Sequence, residues 1–207
     1  MPDAWIHMRI IAGKAKGRVL VAPRANVLRP TTDRVRESLF NILSVEGRRF
    51  LDLFAGAGGV GLEAASRGAT RVFLVESNRA CAQAIRTNIG RCGFLNRPAG
   101  EDGVPDIEVT ECPVDRALRL LGRRGERFDI IFADPPYGAG AIGATLRLVR
   151  SLGLLARGGV LVVQHSVRDE LRARREGYQV EDSRRYGDTA LSFLRPSEGD
   201  GPEPGVP

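Results

Sequence analysis

Asp134, Pro135, Pro136 and Tyr137 directly follow the apolar stretch Phe128-Asp129-Ile130-Ile131-Phe132-Ala133. Such a run suits a central parallel strand covered on both faces. Asp134 is then expected at the strand's carboxyl end, the rim where open α/β sheets bind ligands. Neither proline has an N–H and both have a fixed φ, so the turn is stiff and cannot extend the ladder. The Asp134 carboxylate and the Pro135 carbonyl are left as acceptors with few competing donors. Together they can hold the two N–H groups of an exocyclic amine on a nucleobase and turn its delocalised lone pair toward an electrophilic methyl, a positioning effect. The Tyr137 ring can stack on a base drawn out of its helix or loop. For an isolated Asp-Pro-Pro, a plain strand-ending turn with a polar cap stays equally open.

A second constellation lies upstream in FLDLFAGAGGVGLEAASRGA, where Gly56, Gly58 and Gly61 form G-x-G-x-x-G between a strand and a helix. Glycines there let backbone approach a ligand, and the helix start offers N–H groups and a positive dipole end to an anion. Glu76 ends the next apolar run, RVFLVES, and its carboxylate suits the two hydroxyls of a ribose. These features fit NAD as well as S-adenosylmethionine. Asp52 discriminates, because a carboxylate beside the glycine loop repels a pyrophosphate but accepts from the α-ammonium of a methionine moiety. The predicted cofactor-binding set is therefore Asp52, Phe54, Ala55, Gly56, Gly58, Glu76 and Ser77, with S-adenosyl-L-methionine as cofactor.

The elements that must position these groups follow from periodicity. From Phe50 the chain alternates strand and helix, implying a parallel sheet wound with helices. Strands are expected near 50–54, 71–75, 106–110, 128–133 and 158–164. Helices are expected near 59–67, 78–91, 114–121, 141–152 and 168–173. YQVEDSRRYG and DTALSFLRP read as a terminal antiparallel pair joined by a Tyr-Gly-Asp turn. Upstream, residues 8–22 read as a β-hairpin around Gly-Lys-Ala-Lys-Gly, followed by a helix capped by Thr32 or Asp33. The expected organisation is a hairpin and helix extension over 1–45, a catalytic domain over 46–195 and a disordered tail over 196–207.

Charge singles out that extension. The net charge is +6, and Arg9 to Arg36 holds eight basic residues against Asp33 alone, a local +7. Residues 37–207 sum to zero, so the excess is confined to the N-terminal segment and points to a polyanion, most simply nucleic acid. The candidate contacts are Lys14, Lys16, Arg18, Arg29, Thr31, Arg34 and Arg36. No apolar run approaches the ~20 residues of a membrane span, and the N-terminus lacks the apolar core of a signal peptide. A cytoplasmic protein without a membrane partner is expected. Cys81, Cys92 and Cys112 are too widely spaced for a zinc site, and His7 and His165 do not pair with them, so no metal is expected and the thiols read as free.

These blocks resemble one family. RIIAGKAKGRVL, RPTTDRVRESLFNIL, LDLFAGAGGVGLEAASRGA, VFLVESN and DIIFADPPYG occur in the order expected of the RsmD family, bacterial enzymes that methylate N2 of the guanine at position 966 of 16S rRNA. The similarity runs from about residue 9 to 195, and RPTTDRVRESLFN is its most specific block. It implies an α/β class I S-adenosylmethionine-dependent methyltransferase fold, Rossmann-like and doubly wound, mostly parallel with an antiparallel C-terminal strand. It also implies 16S rRNA or the small ribosomal subunit as partner, with Asp52, Gly56, Gly58 and Glu76 near the cofactor and Asp134 to Tyr137 near the base. The chain departs from the usual pattern at TECPVD, where Pro113 stands near the position of a small acid or amide beside the adenine. Glu111 and Asp115 are the substitutes on offer. Two other readings stay open, a DNA adenine-N6 enzyme and a non-catalytic RNA-binding assembly factor.

Overall fold

The computed structural model describes residues 5–23, 31–95, 104–136, 140–169, 171 and 173–197. It forms two compact units, Met1–Pro113 and Val114–Pro207.

The first unit begins with strands β1 (Trp5–Arg9) and β2 (Val19–Pro23), paired antiparallel with Met8 opposite Leu20. Helix α1 (Asp33–Ile42) follows. Thr32 caps it from an extended conformation, its hydroxyl oxygen accepting the Val35 N–H at 3.4 Å, and Asp33 adds a favourable charge to the first turn. Strand β3 (Arg49–Leu53), helix α2 (Gly59–Ser66), strand β4 (Arg71–Glu76), helix α3 (Arg79–Arg91) and strand β5 (Asp106–Glu111) complete the unit. Strands β3, β4 and β5 lie in the order β5-β4-β3 and are parallel. Phe50, Leu51, Leu53 and Val72 to Val75 are all buried. That is why both strands read as continuous apolar runs instead of alternating ones.

The second unit contains α4 (Val114–Arg123), β6 (Phe128–Ala133), α5 (Ala141–Ser151), β7 (Leu155–Ser166), β8 (Tyr178–Tyr186) and β9 (Thr189–Pro196). The strand order is β6-β7-β9-β8. β6 and β7 are parallel, while β9 runs antiparallel to both β7 and β8. The terminal hairpin turns at Gly187, whose φ of 61° favours glycine.

Two expectations about elements are corrected. Strand β7 starts at Leu155, not near 158, because Gly158 and Gly159 lie within it, beside the register shift between Phe128 and Ile130. A side chain on Gly159 would sit 2.9 Å from the Ala156 carbonyl oxygen and 3.0 Å from that of Asp129. The glycine pair is thus an irregularity inside a strand, not its boundary. The helix expected near 168–173 is absent from the described residues there. The Asp169 carboxylate accepts the Ser166 N–H at 3.2 Å and its own N–H reaches the Ser166 carbonyl at 3.0 Å, closing a turn instead. A short 3-10 segment, Ala173–Glu176, follows.

No disulfide joins Cys81, Cys92 and Cys112, and Cys81 and Cys92 are buried. Burial is the main cause that pushes both thiols up to about 11, so they stay neutral at pH 7. Alkylation at pH 8 should therefore label at most Cys112 in the folded protein and all three after denaturation, counted by intact mass. His165 is buried in β7 and structural. Its Nδ1 lies 2.8 Å from the Ser166 carbonyl, which can only accept, so Nδ1 carries a proton, and its Nε2 lies 2.9 Å from the Ser192 hydroxyl.

Candidate active site

In the first unit the glycine turn is fastened by the two acids that end its strands. Gly58, in the left-handed region at φ 83°, occupies the cap position of α2 and has no side chain with which to cap it. The orphan N–H at the third helical position, Gly61, is taken instead by the Asp52 carboxylate at 2.8 Å, delivered from β3. Asp52 is 1% exposed. The carboxylate expected to accept from a ligand ammonium thus also fastens the loop, through Oδ2. Gly61 serves close packing, because a β-carbon there would meet Leu74 Cδ2 at 2.8 Å.

Glu76, at the end of β4, accepts the Gly56 N–H through Oε2 at 2.8 Å and the Asn78 N–H through Oε1 at 2.7 Å. Each carboxylate oxygen has a second lone pair, so the residue can fix the loop and still receive hydroxyl groups. Phe54, half-buried, stands at φ 62°, the one non-glycine residue with positive φ among those described. A left-handed conformation at a bulky residue costs roughly 1–3 kcal/mol and persists where the surroundings over-determine it. Here the Ala55 N–H is tied to the Val75 carbonyl at 2.9 Å and the Gly58 N–H to the Ala55 carbonyl at 2.8 Å. Ser77 is exposed just beyond Glu76. Gly56, Gly58, Phe54, Ala55, Glu76 and Ser77 are thus brought to one rim of the first unit. Of the two acids considered for an adenine contact, Glu111 accepts from Arg86 at 2.9 Å and Asp115 is exposed in the first turn of α4.

In the second unit β6 ends at Ala133, and Asp134 is half-buried, Pro135 buried and Pro136 exposed. The parallel register pairs Ala133 with Val163. The next residue on β7, Gln164, donates from Nε2 to Asp134 Oδ2 at 2.8 Å. Tyr137 lies outside the described residues.

The basic extension is bolted to the helices that carry the glycine turn. Glu63 of α2 is fully buried and accepts the Ile11 and Ala12 N–H groups at 2.7 and 3.0 Å, as well as Arg67 Nε at 2.7 Å. The Ser66 hydroxyl accepts the Ala15 N–H at 2.9 Å, and the Ser66 carbonyl accepts that of Lys14 at 2.8 Å. From α3, buried Asn88 bonds the N–H and carbonyl of Val21, both at 2.9 Å, and the Ala57 carbonyl at 3.0 Å. None of these anchors stands out in the sequence. Their one signal is Glu63, a lone acid inside an otherwise apolar helical run.

On this platform the Lys14, Lys16, Arg18 and Arg34 side chains are exposed and Thr31 is half-buried, while Arg29 lies outside the described residues. Arg36 is corrected. It is 1% exposed, donating to the Arg9 carbonyl at 2.7 Å and to Asp33 at 2.9 Å. Its guanidinium joins α1 to the hairpin and is not presented to a polyanion. Burial lowers its pKa and Asp33 opposes that shift.

The family model described as "Conserved hypothetical protein 95" matches residues 8–195. The Ribosomal RNA small subunit methyltransferase D of Escherichia coli strain K12 is 36% identical over 167 residues, covering 80% of this chain and 78% of its own. The solved structure of yhhF from Escherichia coli superposes with a TM-score of 0.76 at 32% identity, covering 93% of this chain and 99% of that one. SMU.776, solved in complex with S-adenosylhomocysteine, gives a TM-score of 0.68 at 14% identity, covering 94% of this chain and 56% of that one, a likeness of fold alone. The fold is that of the S-adenosylmethionine-dependent methyltransferases, with a mostly parallel sheet and antiparallel C-terminal strands.

Proposed function

We propose that this chain, which belongs to the family described as conserved hypothetical protein 95, the RsmD family of the sequence resemblance, methylates the exocyclic N2 amine of a guanine in 16S rRNA. The guanine is of the position-966 type, and the donor is S-adenosylmethionine. The observation that carries the reading is the end of β6, where a half-exposed carboxylate is followed by two residues that have no N–H to donate.

The first unit's rim fits the donor. Glu76 retains lone pairs for ribose hydroxyls, and Gly56, at φ 56°, removes the side chain that would keep backbone away from a ligand. S-adenosylmethionine supplies an electrophilic sulfonium methyl. The Asp134 carboxylate and the Pro135 carbonyl accept the two N–H groups of the amine and aim its lone pair. Attack by the amine would form the new N–C bond as the methyl–sulfur bond breaks with its electron pair left on sulfur, and the charge gained by the nitrogen would be lost as a proton to Asp134 or to water. Tyr137 is assigned to stacking on the base. Methyl transfer from labelled donor to 16S rRNA or small subunits, followed by mass mapping of the modified nucleotide, tests the reading. Methylation at a ring nitrogen or on DNA adenine would overturn it.

Recognition of the RNA is assigned to the exposed basic side chains of the extension, Lys14, Lys16, Arg18 and Arg34, with Arg29 and Thr31. The organisation proposed is that 1–45 grips RNA while 46–195 performs the transfer. Removing one cation from a backbone phosphate should flatten the dependence of log affinity on log salt by roughly 0.7 to 0.9. Replacing Lys14, Lys16 and Arg18 together by alanine should then lower the slope by about two units with donor affinity unchanged. The loop's anchors are main-chain groups, so the triple variant should fold. An unchanged slope would move RNA binding to Arg29 and Arg34.

A further inference from the structure

We propose that Gln164 is a positioning residue for Asp134, fixing the carboxylate plane that receives the target amine; this rests on the methyl-transfer reading above. Along β7, Val160, Val162 and Gln164 alternate onto one face and are all buried. A leucine or valine would continue that row. Gln164 is 5% exposed, and its amide makes one described side-chain bond, from Nε2 to Asp134 Oδ2 at 2.8 Å. Its Oε1 is buried and has no hydrogen-bond partner among the described residues. A buried acceptor left unsatisfied costs as much as a net hydrogen bond contributes or more. The fold therefore gains little from an amide at this position, and the group that gains is Asp134.

The direction of the bond also matters. An amide N–H can only donate, so it orders the carboxylate while leaving its other lone pairs able to accept. The bond favours one carboxylate plane in which to meet an N–H, selected from the broad range that an aspartate's terminal torsion allows. Register makes the pairing unavoidable, since Ala133 lies opposite Val163 and the following residues are therefore neighbours.

The role separates from a structural one by the sign of two measurements. Gln164→Leu should leave thermal stability equal to or above that of the wild type, because the unsatisfied oxygen is removed. The same variant should lose roughly tenfold in kcat with KM for donor and RNA little changed. Gln164→Asn keeps an amide but is one methylene too short, and it should fail to rescue kcat. A Leu variant that is destabilised with kcat intact would make Gln164 structural and overturn the proposal, and so would full activity in both variants. If wild-type protein transfers no methyl to a guanine N2, the underlying reading fails instead, whatever the variants do.

Discussion

Asp134→Ala should lower single-turnover methyl transfer by roughly 10²-fold or more, the scale of positioning and proton-transfer effects, with S-adenosylmethionine affinity unaltered. Asp134 is half-exposed at a strand end, so its removal leaves no cavity in a packed core and the folded protein should survive. Asp134→Asn should retain more activity than Ala, because its amide oxygen still accepts one hydrogen bond. It should still fall well below wild type. The amide nitrogen that replaces one carboxylate oxygen cannot accept, so one acceptor atom remains where the carboxylate offered two. Rapid-quench transfer from labelled donor, read beside calorimetric titration of the donor, checks both arms. Near-normal turnover in the Ala variant would remove the residue from the mechanism.

The second large effect is expected at Glu76. Losing its acceptors should weaken S-adenosylmethionine by about 1.5–3 kcal/mol, the range for hydrogen bonds to a charged group, which is roughly ten- to a hundredfold in Kd. Glu76→Ala also frees the Gly56 and Asn78 N–H groups that the carboxylate now holds. Phe54 would then be free to leave its left-handed conformation. RNA affinity should hardly change, since the basic loop is anchored through Glu63, Ser66 and Asn88 and not through Glu76. Equal losses of donor and RNA affinity would mean that the variant unfolds the loop and its surroundings together.

The sequence is most legible where one strong local preference acts alone. The bounds of β6 agree with the apolar run at 128–133, and Thr32 caps α1 as its side chain suggests. Asp52 is half legible. Its place at the end of β3 can be read locally, but its partner cannot, because a helix N–H donor nine residues away in sequence competes equally well with a ligand for the same carboxylate. Arg36 misleads for a related reason. In a segment this basic, each arginine looks like part of the patch, and only packing shows which guanidinium is enclosed. Gln164 is invisible, since its meaning depends on a strand register that no local pattern encodes. The start of β7 is missed because Gly158 and Gly159 lie inside the strand, beside a register shift that no local pattern shows.

The anchors of the basic hairpin also govern when it can form. Ile11 and Ala15 are held by residues 52 and 51 positions further along the chain, and Val21 by one 67 positions on. Synthesis proceeds from the N-terminus at roughly 5–20 residues per second, so several seconds separate the making of the arm from the making of its dock. During that interval a segment carrying seven net positive charges has no platform. The part of the chain made first is thus among the last to be fixed, and its docking waits on helices α2 and α3. Mutations that slow those helices should therefore show themselves first as a nascent chain that clings to nucleic acid in a salt-dependent way, before any loss of the finished fold.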